Sequence, residues 1–267
     1  MSELGRTAVG VLEGDAAREL RAAELSGIPT QTMAGQFPDL TLEQAYRIQH
    51  HGVELRTAAG ATPVGHKIGL TSLAMQQQMG VSEPDSGVLL ADMAVSCGGD
   101  LPTGLLLAPR VEAEIAVRIG ADLTGVNVDL GAVRAAVSEV FLALEVIDTR
   151  YGDWRIALVD SVADNASASR FALGPAMATD RLQDLGDEYV EVRVDGTLSA
   201  SGHGRDVLGD PLLPLVWLAQ RLTALGGGLS AGDLVLPGSV HASIPLRPGV
   251  TVEASSAHLP PVWFRAL

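Results

Sequence analysis

The sequence predicts an α+β protein, a helical N-terminal region (residues 1–62) leading into a mixed, β-rich core (63–267) as one continuous unit. Three observations carry this. Apolar residues recur at helical spacing near the start (Leu12, Ala16, Leu20, Ala23). From Val64 onward the texture changes to short β-type runs broken by Gly, Pro, Asp and Asn. Helices do not alternate regularly with strands, which argues against a doubly wound parallel sheet.

The first helix is expected over 12–26 and the second over 41–59, where Thr41 and Gln44 have capping-box spacing after Pro38. Strands are expected at 64–69, 111–119, 140–148, 188–194, 233–237 and 249–254, and Glu83-Pro-Asp-Ser-Gly87 reads as a turn. Two later helices are expected at 129–138 and 211–225, the second opened by Pro211 and ended by Gly226-Gly-Gly228. Leu73-Ala-Met-Gln-Gln-Gln-Met79 is also helix-like.

Composition narrows the function. The chain has 267 residues, 47% of them hydrophobic, enough for a sizeable core. Its formal charge of −14, without a Lys/Arg cluster, repels nucleic acid and anionic lipid alike. The single Cys97 excludes an internal disulfide, and Glu3, Arg6, Glu13 and Asp15 stand where a signal peptide would be apolar. No run approaches the about 18 apolar residues of a membrane span. A cytoplasmic protein is expected.

The chemistry concentrates in carboxylates. Glu112 and Glu114 lie two apart in Arg110-Val-Glu-Ala-Glu-Ile-Ala-Val-Arg118, so on a strand they share one face while Val111, Ala113, Ile115 and Val117 share the other. Alone, they read equally well as a charged strand edge paired with Arg110 and Arg118. Glu145, inside the apolar run Val140-Phe-Leu-Ala-Leu-Glu-Val-Ile147, fits no solvated face. Three buried carboxylates need compensation, and oxygen donors without His or Cys suit a hard ion, Mg²⁺ or Mn²⁺, rather than zinc.

Lys67 sits in Gly65-His-Lys-Ile-Gly69, flanked by glycines that suggest close backbone approach. Buried, it offsets the acids, holds a substrate carboxylate, or transfers a proton once desolvation lowers its pKa. The segment Val159–Ser169 gathers Asp160, Asp164, Asn165, Ser167 and Ser169, a composition that suits either an anion-lining loop or a capped turn. His50 and His51 read as surface or packing residues, and His241 as bordering the pocket. Gly202-His-Gly204 with Gly209 lacks dinucleotide-binding spacing.

Together, Gly65–Met93, Pro109–Val117, Leu144–Gly174 and, more loosely, Val207–Pro248 resemble the 2-keto-4-pentenoate hydratase and 4-oxalocrotonate decarboxylase family of the fumarylacetoacetate hydrolase superfamily. The resemblance implies a fumarylacetoacetate-hydrolase-like fold, Mg²⁺ or Mn²⁺ on Glu112, Glu114 and Glu145, and Lys67 and Asp85 as catalytic residues. It further implies Ser167 and Leu70 as substrate contacts, a small 2-oxo or 2-hydroxydienoic acid as substrate, and a homo-oligomer, alone or complexed with a pathway paralogue. Met75–Val81 and Pro84-Asp85 look like the hydratase branch, whereas Val146–Tyr151 and Ala166–Phe171 lean toward the decarboxylase. Hydration is the expected reaction, with decarboxylation the alternative. A C–C bond hydrolase is disfavoured, because that branch has an aspartate where Glu145 stands; a non-catalytic partner subunit is the reading from another class. Ser86, where the family often has an aromatic, leaves the substrate's substituents open.

Overall fold

Thr41 starts its helix as the capping box predicts: its Oγ1 accepts from Gln44 N at 3.2 Å, and Gln44 Oε1 accepts from Thr41 N at 2.9 Å. A computed structural model describes residues 3–72, 76, 81–179 and 185–267, with side chains from residue 12. Helices α1 (Glu3–Ser26), α2 (Met33–Gln36) and α3 (Leu42–Ala58) form the N-terminal region. Ala16, Ala17 and Leu20 of α1 cluster with Ala45 and Ile48 of α3, and with Tyr151, Val162 and Ala163 from the later chain. The helix expected over 73–79 lies outside the described residues apart from Gln76.

Two sheets build the core. The larger has eight strands, with β1 (Pro63–Gly69), β2 (Asp85–Leu90), β3 (Ala94–Val95), β5 (Arg110–Ile119), β6 (Val137–Ile147), β7 (Ala168–Leu173) and β10 (Leu234–Leu236) in the order β2-β1-β10-β5-β6-β7-β3, and β11 (Ile244–Pro245) beside β5. The smaller runs β4 (Asp100–Leu101), β13 (Val262–Ala266), β12 (Thr251–Ser256), β8 (Tyr189–Val194), β9 (Thr197–His203). Period-two alternation divides the long strands between two cores. Val111, Ala113, Ile115 and Val117 of β5 and Leu142, Leu144 and Val146 of β6 join Val190, Val252 and Phe264 of the smaller sheet. The opposite face carries Ala116, Phe141, Ala143, Phe171 and Leu236. Glu112, Glu114 and Glu145 belong, by the same alternation, to this second apolar face.

The mixed-sheet fold with helices gathered toward the N-terminus is the one expected, and each of the six expected strands is present. Differences lie where turn chemistry masks a strand. Pro84-Asp-Ser-Gly87 is not a turn throughout, because Asp85 already opens β2 and pairs with Gly69. The helix near 129 is shorter than expected, Leu130–Ala136, because Val137 begins β6. The helix near 211 starts at Leu213, and Pro214, not Pro211, is the proline in its first turn. Among the described residues, no helix is long and apolar enough to cross a membrane.

Candidate metal centre

Pairing of β5 with β6 places Glu112 directly opposite Glu145 and Glu114 opposite Ala143. A carboxylate oxygen from each of the three glutamates lies within 4.8 Å of the others, forming an acidic cluster. Glu114 and Glu145 are each 1% exposed, whereas Glu112 is half-buried. Neither flanking arginine makes its direct contacts with them. Arg110 donates from Nε to Ser243 Oγ at 2.7 Å and from Nη2 to the Ser243 carbonyl, and Arg118 pairs with Glu139 Oε2 at 2.7 Å. The charged-edge reading of Glu112 and Glu114 is thereby set aside.

Compensation comes from a backbone N–H that the sequence does not announce and from Lys67, as expected. Gly238 N donates to Glu114 Oε2 at 2.7 Å. Lys67 Nζ stands 3.4 Å from Glu145 Oε2, a charge contact, and neither Glu145 oxygen has a hydrogen-bond donor among the described residues. Leaving a buried carboxylate oxygen unsatisfied costs about 1–3 kcal/mol. Burial, with Glu145 and Asp85 adding repulsion against the pull of Lys67 and Arg110, pushes Glu112 up to about 7. Burial, then Glu145 and Glu112, raises Glu114 well above the carboxylate range. Three crowded, under-donated oxygen ligands form a cradle that fits a hard divalent cation, which would replace both the protons and the missing donors.

Lys67 points into this cluster from β1 and donates to the Ala166 carbonyl at 3.1 Å. Burial works against its charge, yet Glu145, Asp85, Glu112 and Glu114 outweigh it and raise its pKa. The expectation that desolvation lowers the Lys67 pKa is therefore corrected, because the surrounding carboxylates hold it as an ammonium. The glycine beside it does the work its position implied, since a Cβ on Gly69 would lie 2.2 Å from Asp85 Oδ1. Asp85 is 4% exposed; Ser161 Oγ donates to its Oδ2 at 3.4 Å, and Oδ1 has no hydrogen-bond partner among the described residues. Burial raises the Asp85 pKa, with Lys67 and Ser161 opposing.

The Val159–Ser169 segment divides its roles, correcting the idea of a common anion lining. Asp160 accepts from Ala34 N and Ala157 N, each at 2.8 Å, as a cap. Asp164 pairs with Arg150, and Asn165 Nδ2 donates to the Val88 carbonyl at 2.9 Å. Within this segment Ser167 keeps a buried Oγ that has no partner among the described residues. Asn165, Ala166 and Ser167 have φ of 55°, 49° and 59°. Left-handed backbone costs a non-glycine residue about 1–2 kcal/mol. Leu70, just past β1, shares this conformation at φ 57°, and its carbonyl accepts from Gln76 Nε2 at 2.9 Å.

His241 has a different job from lining a pocket. Its Nε2 accepts from Ala113 N at 3.0 Å while Nδ1 faces the Ala242 carbonyl at 2.8 Å, so the neutral Nδ1–H tautomer satisfies both. Burial lowers its pKa in keeping with that form. His50 and His51 lie on the surface of α3 and contact Glu54, as expected. The Gly238 N–H and the Ala166 carbonyl were invisible in the sequence, because backbone groups carry no residue signature.

Two buried glutamates, a half-buried third and a buried lysine, all on the face of the larger sheet turned away from the smaller one, define a carboxylate-rich centre of the metal-binding kind. The chain belongs to the fumarylacetoacetate (FAA) hydrolase C-terminal family, whose model matches residues 45–264. It is 39% identical over 239 residues to a 2-keto-4-pentenoate hydratase of Paraburkholderia xenovorans, covering 90% of this chain and 89% of that one. It is 36% identical over 233 residues to a 4-oxalocrotonate decarboxylase of a Pseudomonas species, covering 87% and 88%. Its fold superposes on the solved 4-oxalocrotonate decarboxylase of Pseudomonas putida, complexed with magnesium and adipate, with TM-score 0.93 and 33% identity over 96% of this chain and 97% of that one.

Proposed function

We propose that this protein is a divalent-metal-dependent hydratase that adds water to a 2-hydroxy-2,4-dienoate of the 2-keto-4-pentenoate type, giving a 4-hydroxy-2-oxo acid. The observation that carries the reading is the juxtaposition of the Glu112–Glu114–Glu145 cluster with Lys67 and Asp85, in a chain 39% identical to a named hydratase. Glu112, Glu114 and Glu145 would hold Mg²⁺ or Mn²⁺ through carboxylate oxygens. Such an ion, when bound, supplies Lewis-acid polarisation of the substrate's carboxylate and 2-oxygen.

The protein's own groups account for binding and proton movement. Lys67, held as an ammonium, contacts the substrate carboxylate or the negative charge that develops at its 2-oxygen. Asp85, biased by burial toward its protonated form, has Oδ1 free to move a proton to or from the diene carbons and the incoming water. First the dienol becomes the conjugated 2-oxo acid as a proton reaches its terminal carbon. Water then adds, oxygen at the fourth carbon and hydrogen at the third. Ser167 Oγ donates to a substrate oxygen, and Leu70 shapes the approach. The active form is a homo-oligomer in the cytoplasm.

The decarboxylase likeness favours a second reading, in which Lys67 would stabilise the dienolate charge left on the 2-oxygen as CO₂ leaves a 2-oxo-3-enedioate, with the same Lewis-acid support from a bound ion. Parallel assays with Mg²⁺ on 2-hydroxypenta-2,4-dienoate and 2-oxohex-3-enedioate separate the two, with products identified by mass. Hydrated product from the first supports the proposal. CO₂ from the second, without hydration of the first, overturns it.

A further inference from the structure

Lys67 and Ser167 meet through an uncommon piece of backbone. Asn165, Ala166 and Ser167 are all left-handed (φ 55°, 49° and 59°), and none is glycine. This turn directs the Ala166 carbonyl to Lys67 Nζ at 3.1 Å and leaves Ser167 Oγ buried with no partner among the described residues. A run of unfavourable conformations persists only where its surroundings over-determine it.

Arg150 supplies that constraint from behind. The residue is 6% exposed, and its guanidinium spans the turn: Nη2 donates to the Asp164 carbonyl at 2.8 Å, just before the turn, and Nη1 and Nη2 each donate to the Ala168 carbonyl at 3.3 Å, just after it. Its Nε bonds Asp164 Oδ1, while its backbone N donates to Asp164 Oδ2 at 2.9 Å. A side-chain anchor on the far side completes the frame, with Asn165 exchanging hydrogen bonds with Val88 N and the Val88 carbonyl at 2.8 and 2.9 Å. Gly87 permits that approach, since a Cβ there would lie 2.4 Å from the Asn165 carbonyl oxygen. Among the described residues, no other arginine of this region has such a grip on the turn: Arg56 pairs with Glu24 and Asp92, and Arg170 Nη1 donates to the Ser169 carbonyl.

We propose that Arg150 is a positioning residue: with Asp164 it clamps the 165–167 turn in its left-handed form and so fixes the Ala166 carbonyl and Ser167 hydroxyl beside Lys67. The inference rests on the reading, given above, that Lys67 and Ser167 act on the substrate. A guanidinium fork is required because one planar group must reach a carboxylate and two carbonyls on either side of the turn; a lysine supplies charge but not that span.

The test compares Arg150→Lys, Arg150→Ala and Arg170→Met in the Mg²⁺-loaded protein. Arg150→Lys should lower kcat roughly 10–100-fold, the scale of a misplaced reacting group, with a smaller change in KM. Its Mg²⁺ affinity should stay within about threefold of wild type, because no ligand is touched. Hydrogen exchange of the 164–168 amides should accelerate at least about tenfold as the clamp loosens. Millimolar guanidinium should partly restore Arg150→Ala, and Arg170→Met should match wild type. If Arg150→Lys fails to fold, Asp164→Asn provides the same readouts. Wild-type kcat in Arg150→Lys, or unaltered 164–168 exchange, would overturn the clamp. Exchange is measured without substrate, so a protein that turns over neither dienoic acid would remove the assigned reaction while exchange still decides whether Arg150 holds the turn.

Discussion

Glu112 and Glu145 face each other directly across β5 and β6, two acids at one cross-strand position on a face that they and Glu114 share with an apolar cluster. Like charges so placed destabilise a sheet, and replacing them with apolar residues would favour the metal-free fold. Their retention alongside Glu114 is understandable if their shared task is to hold a cation.

Glu114→Gln separates stability from function. The amide keeps an acceptor for Gly238 N but removes one of three repelling acids. Metal-free Glu114→Gln should melt higher than wild type, on the order of 2–4 °C for each kcal/mol relieved. The melting-temperature rise that Mg²⁺ gives the wild type should be absent. A lower metal-free melting temperature would contradict the repulsion described here.

The pH dependence has a defined sign. Glu112 is pushed from its ordinary 4.5 up to about 7, so below about pH 4.5 folded and unfolded chains both carry its proton. As pH rises to about 7, the folded chain retains a proton that the unfolded chain has released. The metal-free fold therefore loses stability across that window, by roughly 3 kcal/mol from this group at its upper end. Metal entry must displace the same proton, so Mg²⁺ affinity should increase as pH rises from about 5 toward about 7 and then level off. Calorimetric titration in buffers of differing ionisation enthalpy measures the protons released, and an affinity independent of pH would contradict the assignment.

Lys67→Met and Asp85→Asn test the two catalytic assignments. Each should lower kcat by roughly 10²–10⁴-fold, the range for a positioned proton-transfer or charge-stabilising group, with Mg²⁺ still bound. Lys67→Met should also destabilise the metal-free fold by about 3–5 kcal/mol, because it strands a buried carboxylate. Wild-type turnover in either variant would remove its role.

His241→Phe should cost about 1–2 kcal/mol of stability by leaving Ala113 N without its acceptor. The pH–rate profile should keep its shape, since His241 stays neutral and bonds only backbone. Loss of a titrating limb in that profile would show that the imidazole takes part in proton transfer.

Much of this arrangement was legible because strand periodicity is rigid. Two residues of spacing in β5 placed Glu112 and Glu114 on one face, and an acid within an apolar run marked Glu145 as buried. Glycines around Lys67 forecast the close approach that Gly69 makes to Asp85. What stayed hidden depended on long-range pairing. Nothing local shows that Arg150 pairs with Asp164 and not Glu145, that Asp85 opens a strand beside Gly69, or that three ordinary residues at 165–167 adopt left-handed backbone. β2 was masked by Pro84, Asp85, Ser86 and Gly87, whose turn preferences are overridden by pairing with β1.

The most direct measurement is anomalous scattering from crystals grown with Mn²⁺, which locates the ion independently of any reaction. A single strong peak bounded by the carboxylates of Glu112, Glu114 and Glu145 is expected, lost in Glu114→Gln. A peak elsewhere, or none at saturating Mn²⁺, would contradict the claim that this glutamate cluster is the metal centre.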